Sequence, residues 1–460
     1  MTRPGLTIPT SLPQRGASAP RREPGSPQAD RMRVAIVGAG ISGLAAALAL
    51  RGKHRVTLFE ADDRLGGHAN TVDVTLDGIT HPVDTGFLVY NERTYPQLIR
   101  LFEELQVPVA PSDMSFSVSV GPHRHEWCGT SLASLFAQPS NAMSPRFWGM
   151  LRDILRFNRE ATRLATAPAP DRALLDLPLG EFLSLRGYGA SFRDRYLLPM
   201  AAAIWSCPMK TMLGFPLGSF VRFFHNHGLL QVSDRPQWFT VAGGSREYVR
   251  RIQDRLEDVR LSTPVRTVRR PRDTEGGGVL IGTDIGVERF DAVVLAAHTG
   301  QTLRMLKDAD AREREVLSAI DYQPNRAWLH TDEMLMPKRR GAWAAWNYLS
   351  DGNAESPAVS VTYWLNRLQP VPFRTPVLVS LNPLQEPSPG KTLAVFDYEH
   401  PVFDASATRA QQRLPQLQGE RNTWFAGAWT GYGFHEDGLR SGLEVAQSVL
   451  ERHSGLAVAA

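Results

Sequence analysis

Gly38, Gly40 and Gly43, spaced Gly-x-Gly-x-x-Gly, and the carboxylate of Glu60, 22 positions after the first glycine, are the residues whose types and spacing most directly imply chemistry. The pattern is that of a dinucleotide site. Gly38 lets the chain turn tightly out of a strand, Gly40 lets backbone N–H groups approach a pyrophosphate, and Gly43 lets a helix pack closely on the sheet. The N–H groups of Ile41 and Ser42, at the positive end of that helix, would then meet the phosphates. Glu60 would accept hydrogen bonds from the ribose hydroxyls of an adenosine and repel a 2′-phosphate.

These residues need particular elements to place them, and their flanks supply the elements. The apolar, β-branched run from Arg33 to Val37 reads as a buried parallel strand, and the alanine-rich segment to Leu50 as a helix. Arg55 to Phe59 reads as a second strand that delivers Glu60 at its carboxyl end. A glycine-rich turn in an unrelated α/β unit would lack this context.

Directly after Glu60 come Arg64, Gly66 and Gly67, then a β-rich stretch ending in Val83-Asp84-Thr85-Gly86-Phe87. Near the other end, Trp424 to Ala446 reads as a strand, a loop containing Gly427, Gly431 and Gly433, and a helix beginning near Glu436 to Gly438. Between them lie Thr240-Val-Ala-Gly243-Gly244-Ser, Val265 and the apolar strand Asp291 to Ala297. In this order the motifs resemble the flavin amine-oxidase superfamily, which includes monoamine and polyamine oxidases, protoporphyrinogen oxidase and phytoene-desaturase-type enzymes.

The resemblance implies an α/β protein with a Rossmann-like FAD-binding domain of the glutathione-reductase-2 type, built from residues 32–88, 241–300 and 411–460. An inserted α+β substrate domain, residues 89–240 and 301–410, would contain an antiparallel sheet. Noncovalent FAD is implied, with Arg64, Gly66 and Gly67 along its diphosphate and ribityl chain and the backbone of Val265 at its adenine. Thr85, Gly86, Gly427, Glu436, Gly438 and Leu439 are the further implied cofactor contacts. The final helix would aim its positive end at the flavin N1/C2 carbonyl, where negative charge collects on reduction.

A closer resemblance, carried by Asn91 to Pro96, Ala203 to Ser206, Arg222 to Gly228 and Gly433 to Gly438, is to a bacterial branch of predicted FAD-dependent oxidoreductases. Its members often accompany cyclopropane-fatty-acid synthases. That association implies a fatty-acyl or other hydrophobic substrate, a methyltransferase-like lipid-modifying partner, and peripheral contact with the inner face of a membrane. His435 and His400 are expected to take a proton, and Phe434 to occupy an aromatic-cage position. Lysine, which in the family's amine oxidases holds a water near flavin N5, occurs only at positions 53, 210, 307, 338 and 391, none in a matching context. The expected reaction is therefore removal of hydride from a hydrophobic chain. An amine or polyamine oxidase, and an FAD-stabilised noncatalytic accessory protein, are the alternatives.

The rest of the chain bounds this reading. With 460 residues, 42% of them hydrophobic, it can bury one large or two moderate cores. It has no apolar run long enough to span a bilayer. Cys128 and Cys207 lack paired spacing, which fits a reducing, cytoplasmic setting. Residues 1–31, rich in Pro, Arg, Ser, Gly and Gln, read as a disordered tail. The net charge of +4 is dispersed, so no nucleic-acid partner is expected. The segment His123 to Cys128 mixes metal-ligand types without zinc spacing, so no metal is expected. Thr94 to Leu105 reads as a helix, Ser115 to Cys128 as a hairpin, and Arg146 to Leu164 as a helix whose Phe147, Trp148, Met150, Leu151, Ile154, Leu155 and Phe157 form core. Tyr322 to His330, Trp343 to Tyr348 and Ala358 to Leu365 read as strands. His225 and His227 alternate as on one face of a strand.

Overall fold

In the computed structural model, which describes residues 31–121, 125–169, 171–206, 208–231, 235–352 and 360–459, a five-stranded parallel sheet carries the dinucleotide motif. Its order is Asp258–Arg260, Arg55–Phe59, Arg33–Val37, Ala292–Leu295, Thr423–Phe425. Parallel neighbours require crossover connections, and here the two long insertions lie inside those connections. Both faces of the sheet are buried, which is why its strands read as continuous apolar runs. Val34, Ile36 and Leu58 face the helices Ile41–Leu50 and His435–Ala459. Ala35, Val37, Phe59, Val293 and Leu295 face a three-stranded meander, Val265–Arg269, Val279–Thr283 and Gly286–Phe290, and the helices Ala311–Ser318 and Ala405–Arg413.

A seven-stranded sheet runs in the order Thr392–Pro401, Tyr322–His330, Leu378–Leu381, Ser360–Trp364, Trp346–Ser350, Phe116–Val120, His125–Cys128. It is mixed rather than antiparallel, because Trp346–Ser350 pairs in parallel with Phe116–Val120. Those two strands come from different insertions, so no tight turn dictates their direction. A large core joins this sheet to the helices Pro145–Thr166, Leu179–Leu185, Leu198–Trp205 and Leu217–Asn226, with Phe157, Phe182, Phe192, Phe220 and Phe224 fully buried.

Several expectations shift. Leu98, Leu101 and Phe102 of the helix Pro96–Leu105 pack into the nucleotide-side core, as do Val316, Leu317 and Ile320. The domain limits expected near residues 88 and 300 therefore do not separate the cores. His225 lies in the helix Leu217–Asn226 and His227 caps it, so neither is on a strand. Buried Leu217, Phe220, Val221 and Phe224 recur at helical spacing and outweigh the alternation of the two histidines. In Pro145–Thr166 most of the expected core residues are indeed turned inward, but Trp148 and Leu155 face solvent. The expected tail, apart from Arg31, lies outside the described residues, as do Cys207 and His123. No helix of the described residues is long and apolar enough to cross a membrane.

Asp84, at the end of the hairpin Thr71–Leu76 and Ile79–Asp84, pins that hairpin to the glycine turn before helix Arg246–Gln253. Its carboxylate accepts from the Thr71 hydroxyl at 2.5 Å, the Ser245 N–H at 2.9 Å and the Ser245 hydroxyl at 2.7 Å. Burial still dominates and pushes Asp84 from 3.8 to about 6. The fold thus favours the protonated acid more than the unfolded chain does. That contribution is fully present below pH 3.8 and is lost as pH rises through about 6. Denaturant titrations from acid to neutral pH should show a loss of about 3 kcal/mol over this window that Asp84→Asn removes. An unchanged slope in the variant would assign the pH dependence elsewhere.

Candidate active site

The glycine motif builds a cradle by close approach. A Cβ on Gly43 would lie 1.9 Å from the carbonyl oxygen of Gly38, so the helix Ile41–Leu50 can start against the turn only with glycine there. Gly40, in contrast, faces open space, and its neighbour Ala39 accepts a hydrogen bond at 2.8 Å from the N–H of Gly66. That helix has no side-chain cap, which leaves N–H groups of its first turn free for a ligand. The carboxylate of Glu60 accepts from the N–H groups of Ala39, Ala61 and Asp62 at 2.7, 2.7 and 3.0 Å and keeps acceptor capacity for ribose hydroxyls.

Arg64 reaches the backbone carbonyls of Leu65, Gly67 and Ala69 and meets no carboxylate among the described residues. A partly buried guanidinium of this kind fits a diphosphate. The final helix crosses the first at Gly438 and Gly442, where Cβ atoms would strike Ile41 and the carbonyl of Ser42. Small residues thus bring two positive helix ends side by side, with Ile41, Ser42 and Leu439 buried at the crossing. Val265 follows Thr263, whose N–H is bonded to the carbonyl of Glu60, and Gly427 donates its N–H to the Ser441 hydroxyl. Thr85 shares a hydrogen bond of 2.9 Å with the Tyr398 hydroxyl, and a Cβ on Gly86 would strike the carbonyl of His68.

Three of the candidate side chains are otherwise engaged. Both oxygens of Glu436 accept from the N–H groups of Gln97 and Leu98, at 2.9 and 3.0 Å. Its carboxylate thus caps the helix Pro96–Leu105. His435 opens the final helix, stacked on Phe87 at 3.9 Å and with Nε2 held 2.6 Å from the Tyr248 hydroxyl. Its Nε2 is therefore engaged by Tyr248. His400 is fixed by a chain of amides in which the N–H of Arg326 donates to Asn382, Asn382 donates to Asn325, and Asn325 donates to His400 Nδ1 at 2.9 Å. The chain puts the His400 proton on Nε2, so the side chain offers a donor there.

His68, immediately after the paired glycines, is the residue that the motif reading missed. It stacks on Tyr398 at 5.1 Å, with His400 at 5.2 Å and His298 at 6.3 Å. Its ring lies against the backbone of Glu399. Nε2 is buried with no hydrogen-bond partner among the described residues, and in the tautomer that carries its proton on Nδ1 it is a bare lone pair. Burial, reinforced by His400, His298 and His435, drives His68 well below the usual histidine range. Burial also lowers His400 to about 4 and His435 to about 3, so the cluster is neutral at physiological pH. Among the described residues no group of three or more histidines, cysteines and carboxylates could hold a metal ion.

Phe434, the chain neighbour of His435, belongs to an aromatic wall. Phe434 stacks on Phe223 at 5.0 Å and lies 5.7 Å from His227, while Tyr432 is 5.7 Å from Phe223 and Trp205 is 4.5 Å from it. Asp437 shapes the loop that presents these rings by accepting from the N–H groups of Tyr432 and Phe434.

The profile of the flavin-containing amine oxidoreductases matches residues 41–370. The chain belongs to that family. The cofactor of that family is FAD. Within this family's neighbourhood the chain is 32% identical over 336 residues to a carotenoid phi-ring synthase of Streptomyces griseus, across 65% of this chain and 60% of that relative. The chain thus spans less than two thirds of the relative's length. The structure resembles a fatty acid isomerase from P. acnes that produces CLA (TM-score 0.64, 18% identity, 91% of this chain and 99% of that one). It also resembles cyclohexylamine oxidase from Brevibacterium oxydans IH-35A (TM-score 0.66, 16% identity, 92% and 99%). At these identities the likeness is one of fold. The uncapped first helix, open Gly40, Glu60, Arg64 and paired helix ends fit the cofactor and are the residues that would hold it.

Proposed function

We propose that the protein dehydrogenates a hydrophobic substrate, a fatty-acyl chain presented by a lipid or carrier, with FAD as hydride acceptor. The observations that carry this reading are the aromatic wall of Trp205, Phe223, Tyr432 and Phe434, which the chain joins directly to His435, and a neutral histidine cluster in which His68 Nε2 has no partner among the described residues. An amine substrate would call for a carboxylate near its ammonium; the rings in contact with Phe434 are those of Phe223 and His227, and the carboxylate of Asp437 is already engaged by the N–H groups of Tyr432 and Phe434 and by Arg440. Among the described residues the contacts of His68, His400 and His435 likewise include no lysine. The carotenoid phi-ring synthase and the fatty acid isomerase are named for apolar substrates, which supports the same class.

When bound, FAD supplies the two-electron acceptor. The chain's own contributions are to lay an apolar segment along the aromatic wall, exclude water, and receive at His68 Nε2 the proton that leaves the adjacent carbon. The deciding experiment follows the flavin band at roughly 450 nm anaerobically during addition of phospholipid, free fatty acid and polyamine, because the cofactor carries the redox change. Bleaching by acyl lipid is the expected result. Bleaching by polyamine alone would replace this reading with amine oxidation.

A further inference from the structure

We propose that the outer face of helix Pro145–Thr166, with the short segment before it, docks the protein onto an anionic phospholipid bilayer. Arg146, Trp148, Arg152, Leu155, Arg159 and Arg163 are exposed at helical spacing, while Phe147, Met150, Phe157 and Ala161 are buried on the opposite side. Trp148 and Leu155 are each 52% exposed, and Met143 and Leu132 reach 87% and 77%. Trp148 donates its indole N–H to the carbonyl of Ala142 at 2.9 Å and lies 5.7 Å from Phe136, so the Leu132 and Met143 segment adjoins it. Large apolar side chains grouped in this way mark a surface that another phase covers.

Charge identifies the occupant. The helix's two acids are turned away from this face: Asp153 is buried and accepts from the N–H of Gly189, and Glu160 is bonded to Tyr188 and Arg186. Arg146, Arg159 and Arg163 meet no carboxylate among the described residues, and Arg152 reaches Asp153 only at 3.9 Å. Tryptophan and leucine interleaved with arginines of which only Arg152 has a carboxylate, and a distant one, within reach suit the headgroup boundary of an anionic membrane, where rings enter the acyl edge and guanidinium groups meet phosphates. A bilayer face of this kind serves an enzyme that acts on acyl lipid, and in that respect the inference rests on the function proposed above.

The test is co-sedimentation of the full-length, FAD-loaded protein with vesicles of phosphatidylcholine, with and without phosphatidylglycerol. Binding is expected on the anionic vesicles, falling about fivefold for each arginine reversed and falling as salt rises. Trp148→Ala with Leu155→Ala, and separately Arg152→Glu with Arg159→Glu, should each weaken binding at least about tenfold, with flavin content and unfolding temperature unchanged. Absence of binding by the unaltered protein would overturn the proposal. So would binding indifferent to both double variants, or a self-association or acidic-protein complex that the variants abolish while vesicle binding persists. Flavin reduction by dispersed fatty acid without vesicle binding would sink the docking face and leave the reaction standing. Vesicle binding by a flavin that no lipid reduces would do the reverse.

Discussion

His68→Ala is expected to slow reduction of the flavin by acyl substrate about 10²–10⁴-fold while the cofactor stays bound, the range typical of a lost general base. The expectation follows from which nitrogen is free. At His435 the ring's Nε2 is held by Tyr248, and at His400 Nδ1 accepts from Asn325. At His68 the buried Nε2 has no partner among the described residues. A buried acceptor without a donor costs stability unless a ligand completes it. The main chain at this position is held independently, because the carbonyl of His68 accepts from the N–H of Phe87 at 2.8 Å. Truncating the ring should therefore leave the glycine cradle intact.

Stopped-flow bleaching separates this role from a structural one. Because burial holds His68 well below the usual histidine range, the unaltered rate should be flat through neutral pH and fall only in acid, as the neutral base is lost. In the alanine variant, added imidazole should restore part of the rate in proportion to its neutral fraction. His435→Ala should behave differently. It removes the stack on Phe87 and the Tyr248 bond at the start of the final helix, so its expected defect is weaker FAD retention. An alanine variant at His68 that bleaches at the unaltered rate would remove this residue from the chemistry.

The contrast between His68 and Gly43 explains what the sequence made legible. The strand, glycine turn, helix and Glu60 are local requirements of backbone geometry, so they appear at fixed spacing within one stretch of chain. The histidine cluster is not local: His68 follows the glycine pair, His298 follows the fourth sheet strand, and His400 ends the edge strand of the seven-stranded sheet. Only the fold brings them together, and only Asn325 and Asn382 decide which nitrogen of His400 carries a proton. Glu436 shows the same limit, since nothing in the sequence around it tells that its carboxylate caps the distant helix Pro96–Leu105. Trp148 and Leu155 fit a core pattern by residue type, and burial alone shows that they are turned outward.

Gly43→Val is expected to yield protein without flavin colour, with FAD affinity reduced at least about 100-fold, since the displaced helix end is itself the phosphate site. The new Cβ would overlap the carbonyl oxygen of Gly38 at 1.9 Å and press on Ala296 at 3.4 Å. Neither backbone can retreat easily, because Gly38 is bonded to Phe59 and the helix is wedged against Gly442 through Ser42. Gly40→Ala separates packing from ligand contact. Gly40 has an extended backbone with φ of −69° and nothing within 4 Å of a Cβ, so alanine should fold there without strain. Its methyl would enter the space a diphosphate needs, weakening FAD while the apoprotein unfolds at the unaltered temperature. Titrating FAD into both apoproteins and melting each decides the matter: two variants that bind FAD normally would show that the cradle does not hold the cofactor.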